Sequence, residues 1–166
     1  MRGKPVPSPF YRVSVKAIVL DRDGRLLVLQ NRDHTWELPG GGWEHGETLE
    51  QCLRREIDEE LGVAVSSLDD TLIHPCVGLA PGSRYPWLKL ALAVALASQD
   101  FKLDERMQAT SYMARDEFRM ASMHRSDRCL QADAERLWEV GLRGRPGGGA
   151  RAWRINRSGG CWSSGR

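Results

Sequence analysis

The chain has 166 residues, 41% of them hydrophobic and 28% charged, proportions that fit one globular domain and leave little room for a second. No apolar run approaches the roughly 20 residues of a membrane-spanning helix; the longest, Leu88 to Ala97, alternates and contains Lys89. The net charge of +2 divides unevenly: past Glu139 come six arginines from Arg143 to Arg166, which leaves 18 basic against 22 acidic residues elsewhere. An acidic body with a basic tail is not the charge footprint of a dedicated nucleic-acid-binding domain.

The first ten residues, rich in Pro and basic groups, are expected to form an arm (1–10). Val13, Val15, Ile18 and Val19 predict a strand from Tyr11 to Leu20. Asp23-Gly24 is a hairpin signal, and Arg25 to Gln30 predicts the returning strand. Trp36-Glu-Leu-Pro39 leads into Gly40, Gly41 and Gly42. Thr48 followed three positions later by Gln51 is a capping-box signature, Leu49, Cys52, Leu53 and Ile57 recur at helical spacing, and Gly62 suits a left-handed cap, so a helix is predicted over Thr48 to Leu61. Two more strands are predicted at Leu72 to Leu79 and Trp87 to Ala97, with Pro81-Gly82 between them. A short strand is expected near Thr110 to Ala114, a turn at Asp116, and one helix over Asp127 to Leu142. Gly, Arg and Ser dominate the tail (143–166), which is expected to be disordered. Nothing resembling a signal peptide follows Met1, so the expected location is cytoplasmic. Cys52, Cys76, Cys129 and Cys161 are far apart in sequence, offer no zinc-type pair, and are expected to be reduced thiols.

The chemistry is concentrated in Gly41-Gly-Trp-Glu-His-Gly-Glu47 and Arg55-Glu-Ile-Asp-Glu-Glu-Leu-Gly-Val63. On a helix, residues three and four apart are neighbours, so Glu56, Glu59 and Glu60 share a face, and that face continues the apolar direction of Leu49, Cys52 and Leu53. A solvated helix would set its acids opposite that stripe. Carboxylates this close raise one another's pKa values and call for a cation. Hard oxygen ligands suit magnesium or manganese, which complete their shells with water and phosphate oxygens. Arg55 can pair with a carboxylate, Glu47 being the candidate. Gly40, Gly41 and Gly42 let a phosphate or metal approach the backbone, beside a helix start that favours anions.

Gly41, five residues, Glu47, seven residues, then Arg55-Glu56-Ile57-Asp58-Glu59-Glu60-Leu61-Gly62-Val63 resembles the complete Nudix (MutT-like) box, with every specified position met over 23 residues. The resemblance extends, less diagnostically, from Tyr11 to Leu142. It implies an α/β (α+β) fold, an α/β/α sandwich with a mixed sheet between helices and the box as a loop–helix–loop. It also implies Mg2+-dependent hydrolysis (Mn2+ as substitute) of a phosphoanhydride in a nucleoside diphosphate linked to a moiety X. By similarity, Glu56 and Glu60 are the principal metal ligands, Glu59 a further ligand or the water-activating base, and the Gly41 carbonyl a ligand. Glu47 and Arg55 join loop to helix, and a downstream base is sought in Asp104 or Glu105, with Glu105 preferred. Arg32 is a candidate for phosphate or sugar, and Trp36, Trp43, Tyr85 and Trp87 for stacking on a base; His34 and His45 read as ordinary loop residues. The partner implied is a nucleotide-derived small molecule, with no membrane, nucleic acid disfavoured and a homodimer left open. Two alternatives stand beside the hydrolase: a catalytically silent nucleotide-sensing domain and an RNA 5′-end pyrophosphohydrolase.

Overall fold

The computed structural model describes residues 10–79 and 85–144; the arm up to Pro9, the Pro81-Gly82 loop, Cys161 and the tail past Gly144 lie outside the described residues. The six described strands form two three-stranded sheets. In the first, β1 (Arg12–Ile18) pairs in parallel with β5 (Trp87–Leu96), which pairs antiparallel with β4 (Val65–Gly78). In the second, β2 (Leu26–Asn31) lies antiparallel between β3 (Trp36–Glu37) and β6 (Met107–Met113). The expected mixed sheet is therefore present in two halves. They meet at the turn after β1, where Leu20 bridges Leu26, the Leu27 amide bonds the Val19 carbonyl at 2.9 Å, and the Asp21 carboxylate accepts the amides of Asp23 and Arg25.

Both faces of this layer are covered, so β2 carries apolar residues on both sides instead of a simple alternation. On one face lies α1 (Leu49–Leu61), whose Cys52, Leu53, Ile57 and Leu61 are buried with Val15, Ala17, Leu27, Leu29 and Leu92. On the other lie α2 (Arg115–Met120), α3 (Arg128–Ala132) and α4 (Ala134–Arg143), which bury Phe118, Leu130, Leu137 and Val140 against Ile18, Leu26, Val28 and Ala91. The ends of α1 are fixed as its sequence predicts. Thr48 and Gln51 exchange side-chain-to-amide hydrogen bonds of 3.1 and 2.8 Å, and Gly62 stops the helix at φ +63°. These caps set the height at which the helix presents its glutamates.

Four expectations need correction. The helix expected over Asp127 to Leu142 is broken at Asp133, whose φ −115° and ψ +45° turn the chain between α3 and α4; two short helices follow the twisted sheet where one straight rod would not. The turn expected at Asp116 is the first turn of α2, with the Glu117 carboxylate accepting the Ala114 amide. The strand expected from Leu72 begins at Val65, and a register shift between Asp69 and Ile73 had hidden its alternation. Finally, Cys76 and Cys129, read as separate thiols, form a disulfide with Cα atoms 6.0 Å apart. They are 53 residues apart in sequence, and only the packing of α3 on β4 brings them together. Cys52 is free and buried, as expected, and burial pushes its thiol up to about 12.

Closing a loop of this size stabilises a fold by roughly 4 kcal/mol in chain-entropy terms. Cys129→Ser should lower the melting temperature by several degrees, and alkylation of the unfolded, unreduced protein should leave Cys76 and Cys129 unlabelled. Labelling of Cys76 to the same extent as Cys52 would show that the bond does not form.

Candidate active site

The site is built where the β1 strand, the 37–42 loop and the second half of α1 meet. Gly40 lies at φ +114°, and a Cβ there would sit 2.3 Å from the Val15 carbonyl oxygen. Only glycine lets the loop run this close to β1. At Gly41 a Cβ would stand 2.4–2.5 Å from the Glu56 carboxylate, so the bare Cα leaves room for that side chain. The Gly41 carbonyl accepts the Val15 amide at 2.9 Å, and the Gly42 carbonyl accepts Arg55 Nη2 at 3.1 Å.

Arg55 organises the acids. It grips Glu47 with two prongs, Nε to Oε1 at 2.6 Å and Nη2 to Oε2 at 3.0 Å, and donates from Nη1 to Glu56 Oε1 at 2.6 Å. These hydrogen bonds hold Glu47 down at about 2. The Arg55–Glu47 contact expected from the sequence is therefore present, and it ties the loop to the helix. Glu59 stands apart, its side chain 47% exposed and 3.7 Å from Arg55, so the three helical glutamates do not share one environment. Glu60 is 5% exposed and accepts the Gly40 amide at 2.8 Å. Burial pushes its carboxyl up to about 7, against the pull of nearby Lys16 and the Gly40 amide.

Beneath the loop lies a buried charge network absent from the expectations. Lys16 Nζ donates to Glu37 Oε2 (3.0 Å), to the Leu38 carbonyl (2.8 Å) and to the Gly40 carbonyl. Burial works against its charge, but Glu37, Asp127 and Glu60 more than compensate and raise its pKa. Asp127 is fully buried, accepts the Leu38 amide at 3.0 Å, and lies 2.9 Å from Lys89 Nζ and 4.0 Å from Lys16 Nζ. Burial would raise Asp127, yet the two lysines hold it below the usual carboxylate range. Lys89 is lowered by burial, which Asp127 opposes. The sequence did carry a signal at one of the two lysines: Lys89 interrupts a strand, β5, that is otherwise apolar on both faces.

Glu56, Glu60 and the three loop glycines line one cleft of about 370 Å³ together with Lys16, Lys89 and Arg106. Glu59 is not among its walls. Arg32 and Glu105 meet one cavity further on, where the guanidinium donates to the Glu105 carbonyl at 2.8 and 3.0 Å, and Asp104 pairs with Arg106. Of the aromatic candidates, Trp36 packs against the α2–α4 core, Tyr85 meets Phe10 edge-on, and Trp87 has Arg12 and Lys89 against its ring. Trp43 is exposed, with its indole N–H bonded to the Glu47 carbonyl, and His34 and His45 sit in exposed loops.

Among the described residues, no three acidic, histidine or cysteine side chains are already gathered as a metal site, since Glu56 turns to Arg55 and Glu60 to the Gly40 amide. The donor set still fits a hard divalent cation. Two carboxylates, one of them buried with a raised pKa, face a cleft beside backbone carbonyls, and such ions complete their shells with water and phosphate oxygens.

A family model of the NUDIX domain matches residues 10–132. The chain belongs to that family. It is 48% identical over 58 residues to a MutT-like protein of Streptomyces ambofaciens, covering 34% of this chain and 38% of that one. It is 32% identical over 93 residues to the RNA pyrophosphohydrolase of Vibrio vulnificus, covering 55% and 48%; the chain thus spans less than half the length of either relative. The MutT protein of Methanosarcina mazei has the same fold, with a TM-score of 0.66 at 20% identity over 80% of this chain and 96% of that one.

An acid whose pKa is higher folded than unfolded stabilises the fold below its unfolded value and loses that contribution as pH rises through the folded value. For Glu60 the window runs from 4.5 to about 7, and the loss is about 3 kcal/mol at roughly 1.4 kcal/mol per pH unit. In chelator-treated protein, Glu60→Gln should remove this fall and melt higher than wild type above pH 7. Parallel stability–pH curves for the two proteins would contradict the assignment.

Proposed function

We propose that this chain hydrolyses a phosphoanhydride bond in a nucleoside diphosphate linked to a further group X, with Mg2+ bound at Glu56 and Glu60 and a loop carbonyl, Gly41 being the one the family pattern indicates. The observation that carries this reading is the pairing of an Arg55-held Glu56 with a buried, high-pKa Glu60 on one wall of an oxygen-lined cleft. When bound, the ion would neutralise charge on the phosphates and lower the pKa of water near them.

The rest falls to the chain itself. Arg55 keeps Glu56 aimed, while its grip on Glu47 fixes the loop against the helix. Lys16 supplies a fixed positive charge under Gly40 and Glu60 that does not depend on metal. One water oxygen bonds to phosphorus, the bridging oxygen leaves with the electron pair of the broken bond, and the water's protons pass to a carboxylate base and to solvent or product. Glu59 and Glu105, both exposed at the edges of the site, are the carboxylates suited to be that base. The products are a nucleoside monophosphate and phosphorylated X. Mn2+ should substitute for Mg2+.

The similarity to an RNA pyrophosphohydrolase favours a second reading, in which the group beyond the anhydride is an RNA 5′ end. Incubation with Mg2+ and a panel of nucleotides and 5′-triphosphorylated RNA, followed by 31P NMR, tests both. Glu56→Gln and Glu60→Gln should each lower kcat by on the order of 10³-fold or more. Metal binding by wild type without turnover of any member would instead favour a silent nucleotide-sensing domain.

A further inference from the structure

On the face of the sheet away from α1, one covalent bond joins β4 to α3 close to a group on which the site depends. Cys129 follows Asp127 by two positions in the chain and is bonded to Cys76 of β4. Both cysteines are half-buried and within reach of solvent, whereas the free Cys52 is wholly buried. Neither of the bonded cysteines lines the cleft that holds Glu56 and Glu60.

The helix α3 has little of its own to hold it. Its five residues are too few for a helix to persist in water without tertiary contacts, and the Asp127 side chain at its N-cap does not cap it. That carboxylate is committed to the site instead, accepting the Leu38 amide at 3.0 Å and standing 2.9 Å from Lys89 Nζ. Buried Leu130 seats α3 in the core, and the Gln131 side chain donates to the Phe118 and Ala121 carbonyls at 2.7 and 2.8 Å. Toward β4 the tie is the disulfide; the approach of His74 Nε2 to Asp133 Oδ2, at 3.7 Å, is too long for a hydrogen bond. From Asp127 the path to the acids is short: Leu38 precedes Gly40 by two residues, and the Gly40 amide donates to Glu60 at 2.8 Å.

We infer that the Cys76–Cys129 bond is a redox latch on the site. Oxidised, it pins the start of α3, so that Asp127 holds the 37–42 loop against Glu60; reduced, it lets α3 and Asp127 move, and the loop loosens. The reductant is a dithiol. One of its thiolates attacks a sulfur of the protein disulfide, forming a mixed disulfide and releasing the other cysteine as a thiolate that takes up a proton. The second thiolate of the reductant then displaces the remaining cysteine. The protein gains two electrons and two protons, and the reductant leaves as a disulfide. The effect on turnover rests on the hydrolase reading, whereas the loosening of the loop does not.

The test follows amide exchange by NMR in metal-free protein and, separately, Mg2+-dependent turnover of the nucleotide panel. Both are measured in oxidised wild type, in wild type reduced with dithiothreitol, and in Cys76→Ser with and without dithiothreitol. Exchange at the Leu38 and Gly40 amides should quicken at least roughly tenfold on reduction, beyond any change at Leu27 and Leu29 of β2, which report global stability. On reduction kcat/KM should fall roughly threefold or more, and it should recover on reoxidation. Cys76→Ser should match reduced wild type and ignore dithiothreitol; a response of the variant would assign the effect to another thiol and overturn the inference. Equal quickening at the loop and β2 amides, the mark of a bond that only stabilises the fold, would overturn it too, as would measurable turnover that is the same in both redox states. Quickened exchange confined to Leu38 and Gly40, with no turnover in either state, would keep the latch and overturn the hydrolase reading.

Discussion

The site depends on one buried ammonium. Lys16 enters from the middle of β1, where Val15 and Ala17 point to the α1 core, and its Nζ is satisfied by Glu37, the Leu38 carbonyl and the Gly40 carbonyl. Taking such a charge out of water costs several kcal/mol before compensation, so the loop cannot leave without exposing an unsatisfied ion to an apolar interior. Asp127 doubles the constraint by accepting the Leu38 amide and pairing with both lysines. Through these contacts a strand, a loop and the start of α3 become one rigid support for the Gly40 amide, and that amide is what Glu60 meets.

The acidic helix is the other half of the assembly. Its position along its axis is set by the Thr48–Gln51 capping box and by Gly62, and its rotation by Cys52, Leu53, Ile57 and Leu61. With those fixed, Glu56 and Glu60 have little choice of environment: one is taken by Arg55 and the other is driven against the loop. Electrostatic frustration is thereby stored in a defined place. A buried carboxyl with pKa about 7 beside a second carboxyl is an arrangement that a cation would relieve.

The parts of this account that were legible in the sequence are those governed by local rules. The capped helix, the Asp23-Gly24 turn, the box glutamates and the Arg55–Glu47 pairing depend on residues close in the chain or on a fixed spacing. The parts that were hidden depend on distant packing. Lys16 and Lys89 read as polar positions on strands, and nothing local says that Asp127, more than 30 residues past either, will lie between them. Cys76 and Cys129 meet only because α3 crosses β4. The break at Asp133 and the register shift in β4 answer to the shape of the sheet, which no window of sequence contains.

The most direct test of the account is amide hydrogen exchange at Gly40, measured by NMR in metal-free wild type and Lys16→Met. If Lys16 holds the loop against Glu60, protection of the Gly40 amide should fall at least roughly tenfold in the variant, with the β2 core amides of Leu27 and Leu29 changed only by any loss of global stability. Unchanged protection at Gly40 in a folded Lys16→Met protein would contradict the claim that this lysine assembles the site.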